Sequence, residues 1–245
     1  CNQACLDHTF AGKITSCLVN PRACHETELV ITPTESAKKI AVVGAGPAGL
    51  ASAVTAAERG HDVTLIESAK EVGGQFNIAK KIPGKEEFGE TLRYFRKQLE
   101  LTGVKLRLNT RAEASDLADE GFDEIILATG VSPRTPEIEG IDHPRTLSYL
   151  DVLRDEVPVG KSVAVIGAGG IGHDVSEYLV ERHEPPSVDR FFRTWGVDPD
   201  YRTAGGRTAP QVEPAERQVF LMQRSTGKVG ERLGRTTGWI HRAAL

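Results

Sequence analysis

Two hydrophobic rhythms alternate along the chain. Apolar runs at Lys39–Val43, Asp62–Glu67, Val104–Leu108 and Glu124–Leu127 read as strands. Between them lie stretches of helical period, one from Pro47 to Arg59 and an amphipathic one near Glu86–Leu101. Strand and helix in this order predict β-α-β units and a parallel sheet covered by helices on its faces. The rhythm restarts at Ser162–Ile166, with a helix to about Glu181 and a strand at Val219–Gln223. The intervening residues 182–217, rich in proline, glycine and charge apart from a helical stretch near Val188–Trp195, read as an insertion. Residues 1–36 are turn-rich and end in the polar linker Thr32-Pro33-Thr34-Glu35-Ser36.

Composition adds limits. At 245 residues the chain is long enough for one large domain or two small ones. A net charge of -4 carries no basic excess of the kind that favours nucleic acid, and no apolar run is long enough for a transmembrane helix. The 25 glycines gather in pairs and motifs rather than in a flexible tract. The chain opens on Cys1-Asn2-Gln3, neither a starting Met nor a signal peptide, so it is expected to begin inside a longer protein.

Gly44-Ala45-Gly46-Pro47-Ala48-Gly49 directly follows the first apolar strand and opens a helix. In that setting Gly44 makes the tight turn, Gly46 lets backbone approach a pyrophosphate, and Gly49 packs helix on strand. The helix N-terminus offers N–H groups and a positive dipole end to phosphate. Glu67 ends the next strand, 18 residues after Gly49, where a carboxylate accepts hydrogen bonds from a ribose diol. The pair Gly73-Gly74 with Gln75 then leaves room for a long, extended dinucleotide, which favours FAD at this first motif. Ile125-Ile126-Leu127-Ala128-Thr129-Gly130 resembles the Ala-Thr-Gly signature of two-dinucleotide flavoproteins such as the disulfide reductases. That resemblance implies a cofactor contact at Thr129 and Gly130, and a backbone contact with adenine near Ala112.

Gly167-Ala168-Gly169-Gly170-Ile171-Gly172 repeats the arrangement 123 residues later. Here Gly167, Gly169 and Gly172 take the same tasks, but the second strand ends Leu221-Met222-Gln223-Arg224, without an acidic residue. A carboxylate would repel a 2′-phosphate and an arginine pairs with it, so Gln223 and Arg224 favour NADPH over NADH. Lys228, Arg232 and Arg235 add positive charge to this part of the sequence. The fold class expected is α/β, with two Rossmann-like dinucleotide-binding domains of the FAD/NAD(P)-binding flavoprotein type, truncated at both ends. The expected division is 1–36, 37–150 for FAD and 151–245 for NADPH.

All four cysteines, Cys1, Cys5, Cys17 and Cys24, fall in the first tenth of the chain. Phosphate-cofactor motifs point to an intracellular, cytoplasmic setting where disulfides are rare, so the cluster leans towards metal or redox use. By spacing alone the alternatives are an iron–sulfur cluster, a zinc site sharing Cys24, His8 or His25, or buried free thiols.

Cys1-Asn2-Gln3-Ala4-Cys5 and Cys17-Leu18-Val19-Asn20-Pro21 resemble the cluster loop of the bacterial-type NADPH-dependent 2,4-dienoyl-CoA reductases. The resemblance continues through Gly74-Gln75-Phe76-Asn77-Ile78-Ala79-Lys80, Ile82-Pro83-Gly84-Lys85-Glu86-Glu87-Phe88, Ser148-Tyr149-Leu150-Asp151-Val152-Leu153 and Thr236-Thr237-Gly238-Trp239-Ile240-His241-Arg242. It implies a [4Fe–4S] cluster on Cys-x2-Cys-x3-Cys-x11-Cys, with Cys1, Cys5 and Cys17 as the last three ligands and Cys24 structural. It further implies an FMN-holding (β/α)8 barrel before Cys1, where the acyl-CoA substrate binds, with electrons passing from NADPH through FAD and the cluster to FMN. The setting would be degradation of unsaturated fatty acids. The barrel's catalytic Tyr and His have no counterparts here, so no catalytic residue is assigned; His25 and His241 read as structural or cofactor-proximal. The competing readings are a sibling enoate reductase or other NAD(P)H:flavin oxidoreductase with the same module, and a nucleotide-binding fragment without activity of its own.

Overall fold

The structure, a computed structural model, describes residues 4–181, 187–211 and 214–245. It divides into two compact units, one running through Val157 together with Arg232–Ile240, the other comprising Pro158–Glu231 and His241–Leu245.

The first unit opens with helix α1 (Ala4–Phe10), within a segment whose sequence reads as turns. Its sheet contains β1 (Lys39–Val43), β2 (Asp62–Ile66), β3 (Lys105–Arg107) and β4 (Glu124–Leu127), all parallel, in the order β3-β2-β1-β4. The register runs Lys39↔Asp62 to Val43↔Ile66 on one side of β1 and Ile40↔Glu124 to Val43↔Leu127 on the other. Alternation along β1 sends Ile40 and Val42 to one face and Ala41 to the other.

The first face carries the larger core. Helix α2 (Pro47–Glu58) buries Leu50, Ala53 and Val54, and helix α4 (Phe88–Thr102) buries Phe88, Leu92, Phe95 and Leu99. The three- and four-residue steps within each set keep them on one helix face. Gly103, at φ 72, ends α4 in the left-handed turn that glycine adopts without strain. On the second face, Leu117 of α5 (Ala114–Asp119) packs with Ala41 and Ile66, while Leu127 stays 73% exposed. Two short helices complete this unit: α3 (Phe76–Ala79) and α6 (Tyr149–Leu153), the latter started by a reciprocal Ser148–Asp151 capping box.

In the second unit β5 (Ser162–Ile166) and β6 (Gln218–Met222) pair in parallel, from Ser162↔Gln218 to Ile166↔Met222. Helix α7 (Gly170–Val180) packs on both strands and buries Val175 and Leu179. Alternate positions Ile166, Phe220 and Met222 are exposed. Part of the expected insertion, 182–186 and 212–213, lies outside the described residues. Its described part contains helix α8 (Val188–Trp195), closed by Gly196 at φ 64. A turn follows in which buried Asp198 accepts from the backbone N–H groups of Asp200 and Thr203 and from the Thr203 hydroxyl. The last helix is α9 (Gly238–Ala244).

Candidate functional site

The first glycine turn sits where the strand order changes direction, between β1 and β4 and at their C-terminal ends, which is where open α/β sheets bind ligands. Gly44 N–H donates to Ile66 O at 2.8 Å, Ala128 N–H to Val43 O at 2.8 Å, and Gly73 N–H to Ala45 O at 2.8 Å. Gly44 holds φ 102, and a Cβ there would run into the Ala128 carbonyl and lie 3.2 Å from Thr129 Cα. A Cβ on Gly49 would overlap the Gly44 carbonyl oxygen. Gly46, the N-cap of α2, has open space where its Cβ would stand, and Gly74 lies beside it, 3.0 Å from its own ideal Cβ to Gly46 Cα. Two glycines therefore close the turn and a third faces open space. Pro47 and Ala48 begin the helix, whose first-turn N–H groups have no partner within the helix.

Glu67 directly follows β2 instead of ending it. Its Oε2 accepts from Ala45 N–H at 2.7 Å and its Oε1 from Ala69 N–H at 2.8 Å and the Ser68 hydroxyl at 3.2 Å. A carboxylate has about four acceptor positions, so Oε2 keeps capacity for a ribose hydroxyl while holding the turn in place. Gln75 precedes α3, and its Nε2 donates to the Tyr149 hydroxyl at 3.4 Å. No local pattern marks Tyr149 as a partner of Gln75, because the contact spans 74 positions. Ala112 packs against the Ala41, Ile66 and Leu117 cluster, beyond the end of β3. Gly130, at φ 73, turns the chain just after Thr129 and has open space where a Cβ would be.

The second turn repeats the first in outline, except that a Cβ on Gly167 would meet no atom within 4 Å. Gly167 has φ 116, its N–H donates to Met222 O at 2.8 Å, and a Cβ on Gly172 would overlap the Gly167 carbonyl oxygen. Gly169, the N-cap of α7, again faces open space. Strand β6 ends at Met222, so Gln223 and Arg224 lie just past its tip. Gln223 Nε2 donates to Gly227 O at 3.0 Å, and Arg224 is exposed. Lys228 belongs to the same unit as Arg224, whereas Arg232 and Arg235 belong to the first unit.

Cys5 lies on α1 and is half-buried, as is Cys17; Cys24 is exposed, at φ 64. Cys1 lies outside the described residues. The loop after α1 folds back on it: Thr9 and Thr15 hydroxyls both donate to Cys5 O, at 2.9 and 3.5 Å, and Lys13 N–H donates to His8 O at 2.9 Å. Asp7 ties α1 to a distant segment, accepting from Thr236 N–H at 2.9 Å and its hydroxyl at 2.7 Å. Those bonds, the hydroxyl's first, hold the Asp7 carboxyl below its ordinary pKa. His25 pairs with Glu28 at 3.0 Å on the surface, and His241 pairs with Glu177 at 2.6 Å, both half-hidden or buried.

The family model for pyridine nucleotide-disulphide oxidoreductases matches residues 38–193, spanning both glycine turns. The chain belongs to this family. This pyridine nucleotide-disulphide oxidoreductase chain is similar to larger reductases. It is 38% identical over 185 residues to a metal reductase of Desulforamulus reducens, covering 74% of this chain and 28% of the relative. It is 35% identical over 189 residues to a cinnamate reductase of Clostridium sporogenes, covering 77% and 28%. A solved 2-naphthoyl-CoA reductase, in complex with 2-naphthoyl-CoA, superposes on the whole chain with a TM-score of 0.80 at 30% identity, over 32% of its own length. The chain thus spans less than a third of each of these relatives. It is an FAD/NAD(P)-type oxidoreductase module with the α/β fold expected from its sequence. No helix among the described residues is long and apolar enough to cross a membrane.

Proposed function

We propose that this chain is the electron-input part of an NADPH-dependent reductase of 2,4-dienoyl-CoA, with FAD at the first turn and NADPH at the second. The observation that carries the reading is the duplicated turn: each opens on a glycine at positive φ, Gly44 or Gly167, has one whose Cβ would overlap backbone, Gly49 or Gly172, and has one, Gly46 or Gly169, open to a ligand. A bound flavin supplies the conversion chemistry, accepting two electrons as hydride and releasing them one at a time. The chain's own residues bind and orient. The α2 and α7 N-termini would take phosphate and Glu67 a ribose hydroxyl, while Gln75 donates to the Tyr149 hydroxyl. Arg224 would pair with the 2′-phosphate of NADPH, since no carboxylate stands at the tip of β6 to repel it.

Cys1, Cys5 and Cys17 would supply three thiolates to a [4Fe–4S] cluster, the fourth coming from outside this sequence. The folded-back loop that brings Thr15 onto the Cys5 turn supports this placement, because it draws the segment leading to Cys17 towards α1. An FMN barrel elsewhere in the full protein would hold the acyl-CoA; similarity to a structure solved with 2-naphthoyl-CoA supports a thioester substrate. The cytoplasm is the expected location. A sibling enoate reductase is the second reading, favoured by 35% identity to cinnamate reductase.

The deciding experiment is anaerobic turnover by the full-length protein. NADPH oxidation dependent on a 2,4-dienoyl-CoA is expected. Reduction of free cinnamate with no response to the thioester would replace this reading with the enoate reductase. NADPH-dependent dye reduction without flavin content would refute both.

A further inference from the structure

Just behind the second glycine turn, three metal-ligating side chains of the second unit converge. Asp174 and Glu177 stand three residues apart on α7, hence on one helix face, and His241 comes from 64 positions further along the chain. One donor atom from each lies within 4.8 Å of the others, the only such grouping of three or more His, Cys, Asp or Glu among the described residues. This is no exposed acidic patch. The Glu177 and His241 side chains are only 10% and 12% exposed, and His241 stacks obliquely towards His173, itself 1% exposed. We propose that Asp174, Glu177 and His241 form a binding site for a divalent transition-metal ion of the zinc class.

Charge supports a cation. Two carboxylates, Glu177 buried and Asp174 half-buried, meet the nearly buried imidazole of His241, a donor set that a divalent cation can take. A divalent ion neutralises the pair of carboxylates. Any proton carried by His241 is released to solvent as the ion binds. Geometry needs little change. Three atoms no more than 4.8 Å apart lie within about 2.8 Å of a common centre, so shifts below about 1 Å bring them to zinc–ligand distances of about 2.0–2.2 Å. The imidazole nitrogen selects zinc, cobalt or nickel over magnesium or calcium, which prefer oxygen alone. Three protein donors leave a position for water.

The site lies next to the second turn. Asp174 is four residues beyond Gly170, roughly 6 Å along the helix. Its neighbour His173 accordingly lies between the two features: Nδ1 is 3.0 Å from Gly169 O, and because a carbonyl only accepts, that nitrogen carries the proton. An ion at Asp174, Glu177 and His241 would therefore brace α7 just behind the turn. The inference stands on these side chains and does not require any nucleotide to bind.

Cobalt distinguishes this site from the cysteines, because thiolate ligands add an intense near-ultraviolet charge-transfer band that nitrogen and oxygen ligands lack. The chain, stripped with chelator and titrated with Co2+, is expected to develop visible d–d absorption free of that band. The signal should persist in a Cys5→Ser, Cys17→Ser chain and vanish in Asp174→Asn and His241→Gln. Zn2+ at about a hundredfold excess over Kd should raise the melting temperature by about 5–10 °C in the wild type and not in those two variants. Cobalt spectra of thiolate type only, or a sulfur-free signal that survives both substitutions, would overturn the proposal. Should the two variants fail to fold, the Cys5→Ser, Cys17→Ser chain decides: without a sulfur-free band there, the site does not exist.

Discussion

Gly46 and Gly49 stand three residues apart in one motif, yet a single added methyl should act on them in opposite ways. At Gly49 the new Cβ would overlap the Gly44 carbonyl oxygen and lie 2.9 Å from its carbon, with Ala128 Cβ at 3.4 Å. Carbon atoms pack at about 3.5–4.0 Å, so the contact with the Gly44 carbon alone falls short by at least about 0.6 Å. The obstacle is backbone, held by a 2.8 Å bond from Gly44 N–H to Ile66 O, and it has no rotamer to yield with. Relief requires α2 to lift off β1, over a core that includes Leu50 and Ala53. Overpacking of this kind costs typically 1–3 kcal/mol and sometimes more; with backbone as the obstacle we expect the upper end. At about 3 kcal/mol the melting temperature of Gly49→Ala should fall by about 6–12 °C.

At Gly46 no atom lies within 4 Å of the added Cβ, and the residue's φ of -73 suits alanine. Gly46→Ala should therefore fold, losing about 1 kcal/mol or less for a poorer N-cap. Its methyl would fill the space where the pyrophosphate approaches, so the purified variant should lack FAD. Two measurements on each variant suffice: flavin absorbance per chain and the thermal midpoint. A Gly46→Ala protein with wild-type flavin content would refute the assignment of the turn. A Gly49→Ala protein melting with the wild type would refute the steric argument.

Other substitutions test separate parts of the reading. Arg224→Ala should raise the KM for NADPH about tenfold, the loss of one charge-assisted hydrogen bond at an exposed site, and leave the KM for NADH unchanged; equal effects on both nucleotides would remove Arg224 from 2′-phosphate recognition. Cys5→Ser and Cys17→Ser should each abolish bound iron and sulfide while Cys24→Ser retains them, as measured by metal and acid-labile sulfide analysis. Ser148→Ala breaks the capping box of α6 and should lower the melting temperature by about 2–4 °C, with wild-type stability as the contrary result. Asp7 has a folded pKa below its unfolded value near 3.8. Its contribution is therefore complete above that value and is lost as pH falls through the folded pKa. The melting-temperature gap between wild type and Asp7→Asn should be constant near neutral pH and close in acid below about pH 4; a gap that widens in acid would contradict the assigned sign.

What the sequence made legible was whatever is local or periodic. Glu124–Leu127, Ser162–Ile166 and Val188–Trp195 fall where the pattern of apolar residues puts them, because strand and helix periods need only neighbouring residues to be read. Strand ends shifted by a residue where a polar side chain closes the run: Glu67 leaves β2 to bind Ala45 N–H, and Gln223 leaves β6 to bind Gly227 O. The short helices α1, α3, α5, α6 and α9 carry no such signal, since one or two turns bury too few residues to impose a period. The glycine turns were legible because each needs glycine for a local reason, a positive φ or a missing Cβ. Partnerships were not. Nothing in the spacing of Asp7 and Thr236, Gln75 and Tyr149, or Glu177 and His241 marks them as pairs, because each is made by tertiary packing after the local elements have formed. Each nucleotide turn is written into six adjacent residues, Gly44–Gly49 and Gly167–Gly172, and both fall within the stretch that the family model matches. In the proposed reading the acyl-CoA would be selected by residues outside this chain, and turnover by the full-length protein tests that proposal.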